Sequence, residues 1–105
     1  MKRFGLAGLA ITAIVLAAPA HADVDTDFTN QLHTYGLYGQ RDYNAWLGKI
    51  VCERIHNHLD TNVAKSTAFV SHNLPRDATP AQWAQFLAAA IGYYCPDEVP
   101  FLQST

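Results

Sequence analysis

Residues 79–96, TPAQWAQFLAAAIGYYCP, hold the strongest helix signal in the chain and decide its fold. Thr79 is a favourable N-cap residue, Pro80 suits the first helical position, and Gln82 can complete a capping box with Thr79. Apolar side chains follow at helical spacing, at Trp83, Phe86, Leu87, Ala90, Ile91 and Tyr94. Pro96 then ends the helix, because it cannot donate a backbone hydrogen bond. The stretch predicts an amphipathic helix whose apolar face must be covered by other parts of the chain.

Three segments before it also place apolar residues at helical spacing, without the alternation typical of a strand. The positions of the helical stripe are Phe28, Leu32 and Tyr35 in the first segment, Tyr43, Leu47, Ile50, Val51 and Ile55 in the second, and Val63, Thr67, Val70 and Leu74 in the third. Gly36 and Gly39 predict a turn after the first segment, because glycine adopts positive φ at little cost. Asp42 is the predicted N-cap of the second helix, and Asp60 or Thr61 that of the third. The sequence thus predicts an all-α fold, a small bundle of about four short helices.

Residues 1–22 have the composition of a secretory signal peptide. A positively charged start precedes an apolar run over residues 6–18, and the small residues Ala20 and Ala22 follow at the spacing of a cleavage site. The apolar run is shorter than the roughly 20 residues of a membrane-spanning helix. We therefore expect cleavage after Ala22, a secreted or cell-envelope location, and no stable membrane anchor in the mature protein.

The mature chain is then predicted to have a helical domain over residues 23–96 and a flexible C-terminal tail over residues 97–105. It carries five basic and nine acidic residues, which give a net charge of −4 with neutral histidines. No basic stripe is present, so nucleic acid is not an expected partner. The sequence also lacks a Gly-rich phosphate loop and a G-x-S-x-G motif. We therefore expect no cofactor, no catalytic residue and no enzymatic activity.

Cys52 and Cys95 are the two cysteines of the chain, and an even pair in a small exported domain indicates one disulfide bond. At about 100° per helical residue, Cys52 lies about 140° from Leu47, and Cys95 lies about 120° from Trp83. Both positions are on the flank of an apolar face, so two packed helices can bring them together across their seam. In the chain-entropy model, the loop that this bond closes is worth about 4 kcal/mol.

Residues 51–60, VCERIHNHLD, leave two alternatives to the disulfide open. Reduced cysteines and nearby histidines could ligate zinc. That ligand set would be Cys52, His56, Cys95 and either His33 or His72. A Cys52 thiolate with a histidine base could instead act as a nucleophile, although an exported protein rarely keeps free thiols. Since His56 and His58 would point about 200° apart on a helix, we predict no metal site, one exposed histidine and one at a helix cap or core edge.

Four aromatic residues lie in or near the turn predicted after the first helix: Tyr35, Tyr38, Tyr43 and Trp46. Tyrosine and tryptophan are enriched in protein interfaces, so the cluster is a candidate interaction surface. The alternative is structural, with the tyrosines at the rim of the core and Trp46 packed under the first helix.

Four short motifs give the chain a resemblance to a known family. They are Asp27-Phe28 with Leu32, Gly36-Leu37, Gly48-Lys-Ile-Val51-Cys52 and Tyr94-Cys95-Pro96. In this order they resemble the actinobacterial, chiefly mycobacterial, secreted family named domain of unknown function 732 (DUF732), over roughly residues 25–96. Members often carry a glycine after the helix that contains the Val-Cys motif, where this chain has HNHLD at residues 56–60. The resemblance implies a small α-helical, disulfide-linked, exported protein, and it brings no established activity, cofactor or catalytic residue.

Two classes of function fit these features, and a third is remote. The leading hypothesis is a non-catalytic interaction module that binds an unknown protein in the cell envelope or extracellular space. The second is a carrier of a small apolar ligand or lipid, because small residues of the last helix could line a gap between helices. Those residues, which could equally allow close helix packing, are Ala84, Ala88, Ala89 and Ala90. The remote alternative is a thiol- or histidine-based enzyme or a zinc site.

Overall fold

The computed structural model describes residues 21–105, and all regular structure in that part of the chain is helical. The helices are α1 (His21–Thr34), α2 (Arg41–His56), α3 (Val63–Asn73) and α4 (Pro80–Tyr94), followed by a 3-10 helix (Pro96–Gln103). The predicted small all-α bundle is therefore confirmed. The predicted signal peptide, residues 1–22, lies outside the described residues apart from its last two positions. None of the described helices is long and apolar enough to cross a membrane.

Helix α4 forms the centre of the bundle, since every other described helix packs against it. Its residues Phe86 and Ile91 expose none of their surface. Phe28 of α1 and Val51 of α2 are equally buried, and the Phe28 ring meets the Phe86 ring edge to face at a centroid distance of 5.4 Å. Burying one such side chain contributes roughly 1.5–3 kcal/mol. The predicted apolar face of the last helix is thus the main packing surface of the fold.

The predicted start of α4 is also confirmed. The Thr79 hydroxyl accepts a hydrogen bond from the Gln82 backbone N–H at 3.2 Å, and the Gln82 side chain accepts one from the Thr79 backbone N–H at 2.9 Å. Pro80 takes the first helical position, where its missing N–H costs nothing. These reciprocal bonds satisfy donors that the start of a helix otherwise leaves unpaired.

Close packing of α2 against α1 and α4 depends on Gly48. A Cβ atom at this position would lie 2.9 Å from Cε2 of Tyr94 and 3.1 Å from the Phe28 ring. Two aromatic side chains therefore occupy the space that any larger residue would need. This contact explains a glycine inside a helix, where glycine otherwise costs roughly 0.5–1 kcal/mol relative to alanine.

The N-cap of α2 differs from the prediction. Gln40, and not Asp42, precedes the helix, and the Gln40 side chain makes no capping hydrogen bond. Asp42 lies inside the first turn, where its carboxylate pairs with Arg41 at 3.0 Å. An acidic side chain still stabilises this position, because the N-terminal end of a helix carries partial positive charge.

The N-cap of α3 is Asn62 in place of the predicted Asp60 or Thr61. Its side-chain oxygen accepts a hydrogen bond from the Lys65 backbone N–H at 3.0 Å. Asp60 cannot act as the cap, because its two carboxylate oxygens accept hydrogen bonds from the Arg54 guanidinium, each at 3.0 Å. The N-cap of α3 therefore lies two residues after Asp60, the first of the two predicted candidates.

Helix α2 ends in a Schellman motif centred on His58, which follows the C-cap Asn57 and has φ = 60°. The His58 N–H donates to the Ile55 carbonyl at 3.0 Å. The Leu59 N–H donates to the Arg54 carbonyl at 2.9 Å. Glycine is the usual residue in this left-handed conformation, because a Cβ atom is strained there. Members of the resembled family often carry a glycine in the segment that corresponds to residues 56–60. This chain has none there, yet His58 holds a backbone conformation that favours glycine.

The C-terminal residues 97–105, for which the sequence predicts a flexible tail, include regular structure that packs on the bundle. Pro96–Gln103 form the 3-10 helix, and Phe101 and the leucine after it pack half-buried against the core. The Ser104 hydroxyl accepts a hydrogen bond from the Val63 N–H at the start of α3 at 3.1 Å. A short segment with two prolines shows no helical periodicity, so the sequence gives no sign of this docking.

Candidate functional site

The Cys52–Cys95 disulfide predicted from the sequence is confirmed. The two sulfur atoms are 1.99 Å apart, and the bond joins α2 to the C-cap of α4. Cys52 is buried and Cys95 is half-buried. Since each sulfur is bonded to the other, neither is a thiolate that could bind zinc or attack a substrate. The alternatives that need a free Cys52 thiol are therefore excluded for the oxidised protein.

The two histidines of VCERIHNHLD are both exposed. His56 ends α2, with its Nδ1 atom 3.8 Å from Oε2 of Glu98, and His58 lies just beyond the C-cap. In the part of the chain that the structure describes, no group of three His, Cys, Asp or Glu side chains is placed to hold a metal ion. These residues therefore form no assembled metal site within residues 21–105.

Three of the four predicted surface aromatics are exposed. Tyr38 exposes 66% of its surface, Trp46 exposes 54% and Tyr43 exposes 40%. The rings of Tyr43 and Trp46, neighbours on α2, lie 5.8 Å apart between centroids. Trp46 therefore does not pack under α1, and that alternative is wrong. We call Tyr38, Tyr43 and Trp46 the aromatic surface.

Hydrogen bonds hold the aromatic surface in place. The Tyr43 hydroxyl donates to the Asn73 carbonyl at the end of α3, at 2.9 Å. The Asn44 side-chain amide donates to the Tyr38 carbonyl at 3.3 Å. The two glycines of the turn between α1 and α2 have φ values of 80° and 108°, which let the chain reverse within a few residues. The aromatic surface is thus positioned by α2, by the end of α3 and by this turn.

Tyr35 has a structural role instead. It is half-buried, and its hydroxyl accepts a hydrogen bond from the Gln31 side-chain amide at 2.8 Å. Its carbonyl accepts a second from the Gln82 side-chain amide at 3.0 Å. These bonds tie α1 to the first turn of α4, so the core-rim alternative describes Tyr35 correctly.

A groove of about 400 Å³ lies beside Tyr38, between the turn after α1 and the loop before α4. Its lining residues are Gly36, Leu37, Tyr38, Gly39, Pro75, Asp77, Ala78 and Gln82. Its size falls at the lower end of the range for small-ligand sites. The aromatic surface therefore has a concave region next to it in which a side chain of a partner can fit.

A second groove of about 410 Å³ lies against α3 and the turn after α2, and we call it the α3 groove. Its lining residues are Arg54, Leu59, Asp60, Lys65, Ala68, Phe69 and His72. The Arg54 guanidinium carbon lies 4.0 Å from the centroid of the Phe69 ring, and Asp60 also accepts a hydrogen bond from the Ser66 hydroxyl at 3.1 Å. The sequence gives no sign of this groove, because the left-handed turn at His58 is what brings its parts together.

The Tyr94 hydroxyl connects α4 to α1. The Tyr94 hydroxyl donates to Oδ1 of Asp25 at 2.7 Å. Burial raises the pKa of Tyr94 well above its usual range, and the hydrogen bond to the Asp25 carboxylate raises it further. Lys49 Nζ lies 3.5 Å from the same carboxylate oxygen. The hydrogen bond therefore links the C-terminal end of α4 to α1.

The packed helices, the single disulfide and the exposed aromatic surface define a small disulfide-linked all-α protein. A family model agrees with this class and makes it specific. The family described as a protein of unknown function (DUF732) matches residues 24–97. The chain therefore belongs to the DUF732 family, and the resemblance seen in its motifs is confirmed.

Two curated relatives of this chain come from Mycobacterium tuberculosis. They are the uncharacterized protein MT0585 of strain CDC 1551 / Oshkosh and the uncharacterized protein Rv0559c of strain ATCC 25618 / H37Rv. Each is 50% identical to this chain over 97 residues, which cover 91% of this chain and 87% of the relative. No solved structure matches the chain. Family and relatives carry no stated activity, so function must be argued from the surfaces of the molecule.

Proposed function

We propose that the protein is an exported, non-catalytic interaction module that binds a partner protein through the aromatic surface. The observation that carries this proposal is the exposed Tyr43–Trp46 pair on α2. Tryptophan and tyrosine dominate the energetics of protein interfaces, because a rigid ring covers a large area and loses little side-chain entropy on binding. Tyr38, whose ring lies 5.2 Å from that of His33 between centroids, adds a further exposed aromatic side chain and lines the groove before α4.

The scaffold beneath the aromatic surface supports such a role. The disulfide ties α2 covalently to α4, and the Tyr43 hydroxyl is fixed by its hydrogen bond to Asn73. A partner would therefore meet side chains whose backbone is already ordered. Pre-organisation of this kind lowers the entropy that binding must overcome.

A ligand carrier would need a gap between helices, and the alanines of α4 give no evidence for one. Ala89 and Ala90 are buried in the core, and the Ala90 carbonyl oxygen lies 3.7 Å from Sγ of Cys52. Ala84 and Ala88 are exposed. Ala89 and Ala90 therefore allow close packing of α4 against its neighbours, whereas Ala84 and Ala88 face solvent.

A photocrosslinker tests the aromatic surface. A photoreactive phenylalanine analogue replaces Trp46 in one variant and Val99 in a matched control, since Val99 is also exposed, at 46%, but lies on the 3-10 helix. In the native host we expect an adduct of one defined mass from position 46 and none from position 99. Adding Tyr43→Ala to the first variant should reduce the yield. No adduct at position 46, or the same adducts at both positions, would contradict the proposal.

Export is the second part of the proposal, and the composition of residues 1–22 and the disulfide support it. Disulfides persist mainly in oxidising compartments such as the cell envelope and the extracellular space. Intact mass measured with and without reductant tests it. We expect a chain that starts at Asp23 and gains about 2 Da on reduction, the mass of two hydrogen atoms. A mass that includes residues before Asp23 would rule out cleavage after Ala22.

A further inference from the structure

Leu59 forms part of an exposed apolar wall at the edge of the α3 groove. It exposes 60% of its surface. In a Schellman motif the residue at this position frequently packs its apolar side chain onto the helix before it. Here Leu59 faces the groove together with Ala68 and Phe69 of α3. A hydrocarbon chain laid along this wall would remove apolar surface from water, which is favourable.

The rim of the same groove is positively charged, although the mature chain carries net negative charge. Lys65 and His72 both line it. They are seven residues apart on α3, so they lie on one face of the helix, two turns from each other. Lys65 forms no ion pair with any residue from 24 to 105. His72 keeps at least one N–H donor in either protonation state.

Asp60, which also lines the groove, does not cancel the positive charge of Lys65. Asp60 is 3% exposed, and its carboxylate accepts hydrogen bonds from Arg54 and Ser66. Arg54 and Asp60 neutralise each other. The groove therefore presents an ammonium group and an imidazole beside an apolar wall.

We propose that the α3 groove binds a long-chain carboxylate, with the carboxylate at Lys65 and the hydrocarbon chain along Leu59 and Phe69. Both parts of the ligand are needed: a short carboxylate leaves the apolar wall uncovered, and a neutral chain leaves the ammonium group without a partner. The volume of about 410 Å³ suits part of such a chain. The site does not include any residue of the aromatic surface, so this proposal can be tested independently of the proposed protein interaction.

An amide NMR titration of the disulfide-linked protein tests the site. Laurate, kept below its micelle concentration, is compared with dodecanol, which has the same chain, and with acetate, which has the same headgroup. We expect laurate to shift the resonances of Leu59, Lys65 and Phe69 to saturation. Dodecanol and acetate should each bind about tenfold more weakly or worse, since each lacks one of the two contacts.

Matched variants separate the site from general effects of charge and apolar area. Lys65→Gln should weaken laurate binding about tenfold, whereas Lys49→Gln on α2 should leave it unchanged. Leu59→Ser should weaken binding severalfold, and Val99→Ser should have no effect. Dispersed spectra of all four variants serve as the control that each one folds.

Three results would overturn the proposal. The first is equal laurate affinity for Lys65→Gln and the unsubstituted protein. The second is a set of laurate-shifted resonances outside the α3 groove. The third is an acidic peptide that saturates the groove resonances at lower concentration than laurate, which would make the groove a peptide site.

Discussion

The backbone of His58 carries strain that a single substitution can remove. In residues 21–105 it is the one non-glycine residue with positive φ. We expect His58→Gly to raise the free energy of unfolding by about 0.5–1 kcal/mol, because the relief of left-handed strain exceeds the added freedom of glycine in the unfolded chain. Asn57→Gly is the control, since Asn57 has φ = −88° and gains nothing from glycine. Urea unfolding measures both variants, and a loss of stability in His58→Gly would show that the turn is built differently.

Two helical glycines should respond in opposite directions to the same substitution. Gly48→Ala pushes a methyl group into the rings of Tyr94 and Phe28, so we expect it to lower the free energy of unfolding by about 1–3 kcal/mol. Gly92→Ala on α4 meets nothing within 4 Å and should raise it by up to about 1 kcal/mol, because alanine favours a helix. Denaturant unfolding of the oxidised protein compares them. A Gly48→Ala protein as stable as Gly92→Ala would mean that α2 packs less closely than the structure shows.

At the scale of secondary-structure elements, the sequence predicts the helices whose signals are local or periodic. Thr79 and Gln82 meet within one turn, and the apolar face of α4 repeats along a single helix, so both are visible in the chain. Asp60 could not be assigned correctly, because its pairing with Arg54 depends on the left-handed residue between them. The exposure of Trp46 was equally hidden, since its place off the apolar stripe does not say whether a neighbouring helix covers it.

The 3-10 helix has no signal in the sequence, and its packing can be measured. Phe101 is half-buried against the core, whereas Val99 is exposed. We expect Phe101→Ala to lower the free energy of unfolding by about 1–2 kcal/mol, less than for a fully buried phenylalanine. Val99→Ala should stay within about 0.5 kcal/mol of the unsubstituted protein. Thermal unfolding tests both, and equal midpoints for the two variants would favour the flexible tail that the sequence predicts.

The stability of the whole molecule depends on the covalent link between α2 and α4. Small domains bury a modest fraction of their surface, so a disulfide is a large share of their net stability. We expect the Cys52→Ala and Cys95→Ala double variant to lose about 2–4 kcal/mol of unfolding free energy. Calorimetry with and without reductant checks this: reductant should lower the unfolding temperature of the natural protein and leave that of the double variant unchanged. A natural protein that is insensitive to reductant would show that packing alone holds the fold.

The same bond decides how the molecule would bear tension. If its two ends are pulled apart, the force passes from α2 through the Cys52–Cys95 bond into the 3-10 helix and bypasses the 43 residue steps between the cysteines. At about 3.5 Å per extended residue, roughly 150 Å of chain stays hidden from the pulling force. Helix α3 and nearly all of α4 therefore carry no load, and lengthening is confined to α1, the first part of α2 and the last few residues.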